Sequence, residues 1–144
     1  MHYLTSNTSE ILQYFDTIHY HISHSYWAEH IPKETLHKGI ENSVNFAVID
    51  KQLGLQAFAR VITDRATFGY LADVFVVPDY RGQGLSKQLM EAVQSHPELQ
   101  GLRRFMLATK DAHQLYEQFG FQAVTDPKPF MQIVAVDMYA NTIS

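Results

Sequence analysis

The stretch Val76-Val77-Pro78-Asp79-Tyr80-Arg81-Gly82-Gln83-Gly84-Leu85-Ser86 constrains this chain more than any other. An apolar run ends at a proline, a glycine-rich loop follows, and Leu85, Leu89, Ala92 and Val93 then recur at helical spacing. The order is strand, tight loop, helix. Gly82 and Gly84 carry no Cβ, so backbone amides there can approach a ligand closely. A helix starting at Leu85 has first N–H groups without intrahelical acceptors, and such an end favours anions, phosphate above all. Arg81 adds a full positive charge at the mouth of the loop. No Gly-Lys-Ser/Thr follows, which excludes a P-loop. The third glycine of the dinucleotide-binding fingerprint is also missing.

The rest of the chain supplies the elements around this loop. Ile11, Leu12, Phe15 and Ile18 form an apolar stripe that predicts a helix over 9–18. Pro32 is suited to the first position of a second helix running to Asn42. Three strands are expected at 44–49, 55–62 and 68–77, with polar turns between them. His96-Pro97 ends the helix after the loop. Residues 104–109 read as a buried strand, parallel to 68–77 because a helix returns the chain. A short helix at 111–119 stops at Gly120. Two last strands are expected at 121–124 and 132–136, around Asp126-Pro127-Lys128-Pro129. The fold class is therefore a mixed α/β sheet: an antiparallel meander plus a parallel strand pair, flanked by helices.

At 144 residues the expectation is a single domain over 1–144. The formal net charge of −4 gives no basic footprint for nucleic acid. The absence of cysteine excludes disulfides, thiolate metal sites and a cysteine nucleophile. No apolar run reaches membrane-spanning length, and the first residues lack a basic segment followed by an apolar one. A cytoplasmic protein with no membrane or nucleic-acid partner is expected.

Arg81, Gly84 and Ser86 fill the fixed positions of the acyl-CoA loop of the GNAT superfamily of N-acyltransferases, which this loop resembles; serine stands where that family has Gly or Ala. Ala112-His113-Gln114-Leu115-Tyr116-Glu117-Gln118-Phe119-Gly120-Phe121 is similar to the same family's Ala-x-x-Phe-Tyr-x-x-x-Gly-Phe segment. The resemblance is specific from about Val44 to Phe121 and looser at both ends. It implies the GNAT fold and transfer of an acetyl group from acetyl-CoA to a primary amine of a small molecule, in a ternary complex. A non-catalytic acyl-CoA-binding module and a peptide or protein N-acetyltransferase are the alternatives. The resemblance also allows a homodimer.

The same resemblance assigns roles. Acetyl-CoA would be held by Arg81, Gly82, Gln83, Gly84, Leu85, Ser86 and Lys87 at its diphosphate. Its pantetheine arm would lie on the backbone of Val76 and Val77, with a backbone N–H near Val77 on the thioester oxygen, an interaction of about 3 kcal/mol in comparable sites. The family often carries Asn where this chain has Thr109, so Thr109 is the cofactor-side residue there. Tyr116 would be the general acid for the departing thiolate, since a phenol is protonated at neutral pH. Asp73 is the only charge within 68–77, and a carboxylate among apolar neighbours needs a partner or a task. It is expected to bind or relay the proton of the acceptor amine, or to act as a structural acceptor. Strand alternation puts it on one face with Leu71, Phe75 and Val77. His24, Tyr26, Trp27 and Phe130 are the remaining acceptor-side candidates, from a segment that also holds His19, His21 and His30. One of these histidines would suit the amine proton. Their spacing lacks a carboxylate or cysteine partner, and no metal is expected.

Overall fold

Five strands form one mixed sheet in the order β1-β2-β3-β4-β5. They are β1 (His2–Thr5), β2 (Val44–Asp50), β3 (Gly54–Thr63), β4 (Phe68–Val76) and β5 (Arg104–Leu107). The helices are α1 (Thr8–Ile11), α2 (Phe15–Ser23), α3 (Lys33–Glu41), α4 (Leu85–Ser95) and α5 (His113–Glu117). The computed structural model describes residues 1–140. β1 to β4 pair antiparallel, and β5 joins β4 in parallel because α4 carries the chain back across the sheet.

β2 is buried along its whole length, so both of its faces are covered. Val44, Phe46 and Val48, with Ala57, Ala59 and Val61 of β3, pack on Leu85, Leu89, Met90 and Val93 of α4. On the opposite face Ala47, Ile49, Leu55 and Phe58 meet Ile11, Ile18, Ile22, Leu36 and Ile40 from the three N-terminal helices. Each large side chain buried in this way contributes about 1.5–3 kcal/mol. The two cores grip β2 and β3 from both sides and leave β4 and β5 at the working edge.

The three middle strands, the parallel fourth and the helix after the glycine loop lie where the pattern predicts them. The first helix differs: α1 and α2 are separated by a 3-10 turn at Leu12–Tyr14, and α2 runs on to Ser23. Pro32 caps α3 from one position outside it. β1 is an additional edge strand too short to show an alternation. The two strands expected at 121–124 and 132–136 do not form. Met131 and Ile133 are 96% and 102% exposed, and the Phe130 N–H turns back to Pro127 O at 3.1 Å. Strand propensity measures how well a residue fits a pleated surface beside a partner. The neighbouring edge strand β5 has only four residues, and Pro127 and Pro129 have no N–H to offer.

β4 carries a bulge. Phe58 pairs with Phe75 and Arg60 with Ala72, so Asp73 and Val74 together oppose Ala59. Asp73 is in the left-handed region, with φ of 55°. The extra residue resets the alternation: Leu71, Val74 and Val76 all face the α4 side, whereas Phe75 faces the other core. The expectation that Asp73 shares a face with Leu71, Phe75 and Val77 is therefore corrected.

The β3–β4 turn is organised by Asp64. Its Oδ1 accepts the N–H groups of Ala66, Thr67 and Phe68 at 2.9, 2.8 and 3.1 Å, and its Oδ2 accepts the Thr67 hydroxyl at 2.6 Å. The Thr67 hydroxyl first, then these N–H donors, hold the carboxyl below the usual carboxylate range. The ionised form is thus bound better in the fold than in the unfolded chain. Its contribution is present above about pH 4 and is lost as pH falls further. Asp64→Asn should lower the melting temperature at pH 7 by roughly a few degrees. The gap from the parent chain should narrow in melts recorded at pH 3 and below.

Candidate active site

β4 and β5 stay paired only from Phe68–Arg104 to Leu71–Leu107. β5 then ends while β4 continues to Val76, and the edge of residues 72–76 is left uncovered by β5. The bulge at Asp73 sits where the two strands part. The Val77 N–H donates to Gln56 O at 2.9 Å, while Val76 stands opposite Ala57. The Val76–Ala57 pair is therefore of the non-hydrogen-bonded kind, and alternation turns the N–H and C=O of Val76 to the open edge. The Val77 N–H is consumed inside the sheet, so in this stretch the open backbone donor is that of its neighbour Val76. The Arg81 Nε donates to Val76 O at 3.2 Å, which ties the glycine loop to this edge.

At the end of β4 a 3-10 turn, Pro78–Tyr80, leads into the loop. Gly82 and Gly84 have φ of 82° and 77°, and a Cβ on either would meet nothing within 4 Å. Gly84 is the N-cap of α4, with no side-chain cap, and the first helical bond runs from the Gln88 N–H to Gly84 O at 3.1 Å. The N–H groups of Leu85, Ser86 and Lys87 accordingly lie at the open helix end. Leu85 buries its side chain in the α4 core, which fixes the end in place. Ser86 occupies the second helical position and does not cap. Arg81, Gln83 and Lys87 are exposed around the loop.

A cavity of about 700 Å³ opens beside the parting strands. Tyr26, Trp27, Ile62, Tyr70, Tyr116 and Tyr139 form its apolar and aromatic wall, and Arg60, Asp73, Thr109, Lys110 and Asp111 are its polar members. Thr109 accepts the Ala112 N–H at 3.1 Å and so sets the start of α5. Tyr116 on α5 is only 8% exposed, its ring 6.0 Å from that of Phe121 at 77°. Burial, and secondarily Tyr26, push its pKa above the ordinary tyrosine value, so the phenol stays protonated through the neutral range.

Asp73 is 8% exposed and has a partner on each oxygen. Arg60 Nε donates to Oδ2 at 2.6 Å, and Trp27 Nε1 donates to Oδ1 at 2.7 Å. Arg60 also donates through Nη1 to the Ser43 hydroxyl at 3.0 Å. Trp27 is 46% exposed, yet this bond fixes the orientation of its indole. Tyr26 meets it edge-on at 5.1 Å, and the Lys110 ammonium lies 5.4 Å from the centre of the Tyr26 ring. Arg60 is not among the expected site residues. Its signal is the one that flags Asp73: a lone charge inside an apolar strand.

Tyr26, Trp27, Asp73, Thr109 and Tyr116 are brought together. His24 and Phe130 lie outside this lining. His24 Nδ1 is bonded to Tyr20 O at 2.6 Å, and Phe130 sits under the Arg104 guanidinium at 4.7 Å. His19 is buried with Nε2 on Ile31 O at 2.8 Å. His21 stacks on Phe75 at 5.0 Å; burial first, then Arg81 and His24, hold it below the usual histidine value. Among the described residues no cluster of His, Asp and Glu has the makings of a metal site. Nor is any described helix long and apolar enough to cross a membrane.

The acetyltransferase (GNAT) domain family matches residues 14–141. A protein of Gibberella zeae named for its acetyltransferase likeness, FG08082, is 31% identical over 140 residues, covering 79% of this chain and 75% of that one. A crystal structure from Xanthomonas campestris pv. campestris, assigned to the same family, superimposes with a TM-score of 0.91 at 42% identity, covering 97% of both chains. The chain belongs to the GNAT acetyltransferase family. An acetyltransferase-fold protein of Clostridium acetobutylicum, solved with acetyl-CoA, shares the fold at a TM-score of 0.65 and 11% identity, covering 93% of this chain and 96% of that one.

Proposed function

We propose that this chain transfers the acetyl group of acetyl-CoA to the primary amine of a small molecule, by direct attack within a complex of all three components. The observation that carries the reading is convergence. The uncovered edge of β4 runs through the glycine loop into the open N-terminus of α4, with Arg81 tied to Val76 O, and a protonated, buried Tyr116 lines the cavity beside the parting of the two strands. The residues suit coenzyme A. Two left-handed glycines leave room for the linked phosphates, the N–H groups of Leu85, Ser86 and Lys87 supply donors, and Arg81 and Lys87 supply charge. The Val76 backbone offers a donor and an acceptor to an amide-bearing arm, once Arg81 releases the carbonyl it now holds. Thr109 stands at the β5 side of the same gap.

Bound acetyl-CoA supplies a thioester carbonyl open to the amine. Everything else falls to the chain. Tyr116 holds a proton at its phenol oxygen, ready for a departing thiolate. Tyr26 and Trp27 wall the acceptor, and Asp73 keeps Trp27 in position. The chain has no cysteine to carry an acyl group, which accords with direct transfer.

Calorimetry with acetyl-CoA, followed by thiol release against a panel of amines, tests the reading. Binding with a stoichiometry near one and amine-dependent thiol release are expected. Absence of binding to the folded protein would defeat it, and binding without transfer to any amine would leave a non-catalytic acyl-CoA module. Gly84→Val forces a β-branched residue into a left-handed conformation costing about 1–3 kcal/mol. The loop should abandon that conformation and scatter its N–H groups. The dissociation constant for acetyl-CoA should rise about tenfold or more, while the buried α4 face keeps the fold intact.

A further inference from the structure

We infer that the acceptor is a monoamine carried on an uncharged aromatic or aliphatic body, and that the Arg60–Asp73–Trp27 arrangement sets this choice. The inference rests on the acetyl-transfer reading above and concerns the same cavity. A buried carboxylate is the natural anchor for a second ammonium group on a substrate. Asp73 is the buried carboxylate of this cavity, and it is already taken. Its Oδ2 faces the Arg60 guanidinium at 2.6 Å and its Oδ1 the Trp27 indole at 2.7 Å. The Arg60 side chain is 15% exposed and is held in turn by Ser43, so it does not swing aside for an incoming cation.

The charges that remain cancel as well. Besides the Arg60–Asp73 pair, the lining carries Lys110 and Asp111, one of each sign, both exposed at the rim. The four lining charges sum to zero, so the cavity has no field that gathers polycations or polyanions. Rim charges standing in water hold a charged partner only weakly. A second charge carried inward would be desolvated against Tyr26, Trp27, Ile62 and Tyr70 with no counter-ion. An aromatic or alkyl body gains from that same wall, through burial and edge-to-face ring contacts. Trp27 is the side chain that does most here. Its N–H is committed to Asp73, so its ring is presented in one fixed orientation and loses little freedom when a substrate packs on it.

The experiment compares 2-phenylethylamine and tyramine with spermidine and with phenylalanine, which adds a carboxylate to the same aromatic body. Thiol release is followed at saturating acetyl-CoA, with acetyl-CoA binding measured separately by calorimetry. The expected result is a kcat/KM for the two arylalkylamines at least about tenfold above that for spermidine and phenylalanine. Trp27→Ala should raise KM for 2-phenylethylamine about tenfold, with kcat much less affected and the calorimetric affinity for acetyl-CoA unchanged. Preference for spermidine or phenylalanine, or an unaltered arylalkylamine KM in Trp27→Ala, overturns the inference while acetyl-CoA binding keeps the underlying reading alive. Failure of the parent chain to bind acetyl-CoA overturns that reading and this inference with it.

Discussion

Tyr116→Phe is expected to lower kcat by about 100-fold or more while leaving the affinity for acetyl-CoA within about twofold. The substitution removes one oxygen and keeps the ring that packs edge-on against Phe121 at 6.0 Å, so the fold is not at stake. What disappears is, among the described residues, the one buried phenol that lines the cavity between the parting strands. A raised tyrosine pKa favours the protonated form, so the donor is present throughout the neutral range. The alkaline fall of kcat due to this group then belongs above about pH 10, the ordinary tyrosine value. Tyr26→Phe removes only the smaller of the two causes that raise it and should leave that limb nearly in place. A Tyr116→Phe enzyme as fast as its parent would show that the thiolate takes its proton elsewhere.

The working edge is legible in the sequence because its signals are local. Pro78, Gly82 and Gly84 punctuate a strand–loop–helix unit, and the helix end follows from hydrogen-bond geometry whatever surrounds it. The parallel β5 follows from the crossover through α4. The bulge in β4 is not legible, since an extra residue shows only against the register of a neighbouring strand. That one residue takes Asp73 off the face assigned by alternation, and the register around it decides that Val76, not Val77, turns its N–H to the open edge. The C-terminal segment departs from its pattern for a related reason. The run 131–136 is rich in strand-forming side chains, but propensity does not provide a partner edge. Arg60 carries a signal of the same kind as Asp73. Two adjoining apolar strands each hold a single interior charge, and the charges are opposite. The register, with Arg60 opposite Ala72 and the bulge beside it, is what brings the two together.

Arg60→Ala should be the most damaging substitution for stability, costing about 3–5 kcal/mol, because it leaves the Asp73 carboxylate buried without its counter-charge. The geometry makes the guanidinium hard to replace. It donates to Asp73 and to the Ser43 hydroxyl and crosses α3 at Gly39, where a Cβ would stand 3.3 Å from Nη1. Lysine in its place keeps the charge but not the fork, so Arg60→Lys should recover only part of the loss. The decisive comparison is a double variant. Asparagine tolerates the left-handed backbone that Asp73 adopts at 55° and carries no charge. If the damage arises from an orphaned carboxylate, Arg60→Ala/Asp73→Asn will be more stable in urea than Arg60→Ala alone. If the guanidinium acts mainly by covering apolar surface, the two will unfold at the same midpoint. The electrostatic account also demands that Arg60→Ala disturb the acceptor side more than the coenzyme side. Asp73 freed from Arg60 no longer holds Trp27 to one orientation, whereas among the described residues no hydrogen bond ties the glycine loop or Val76 to either residue.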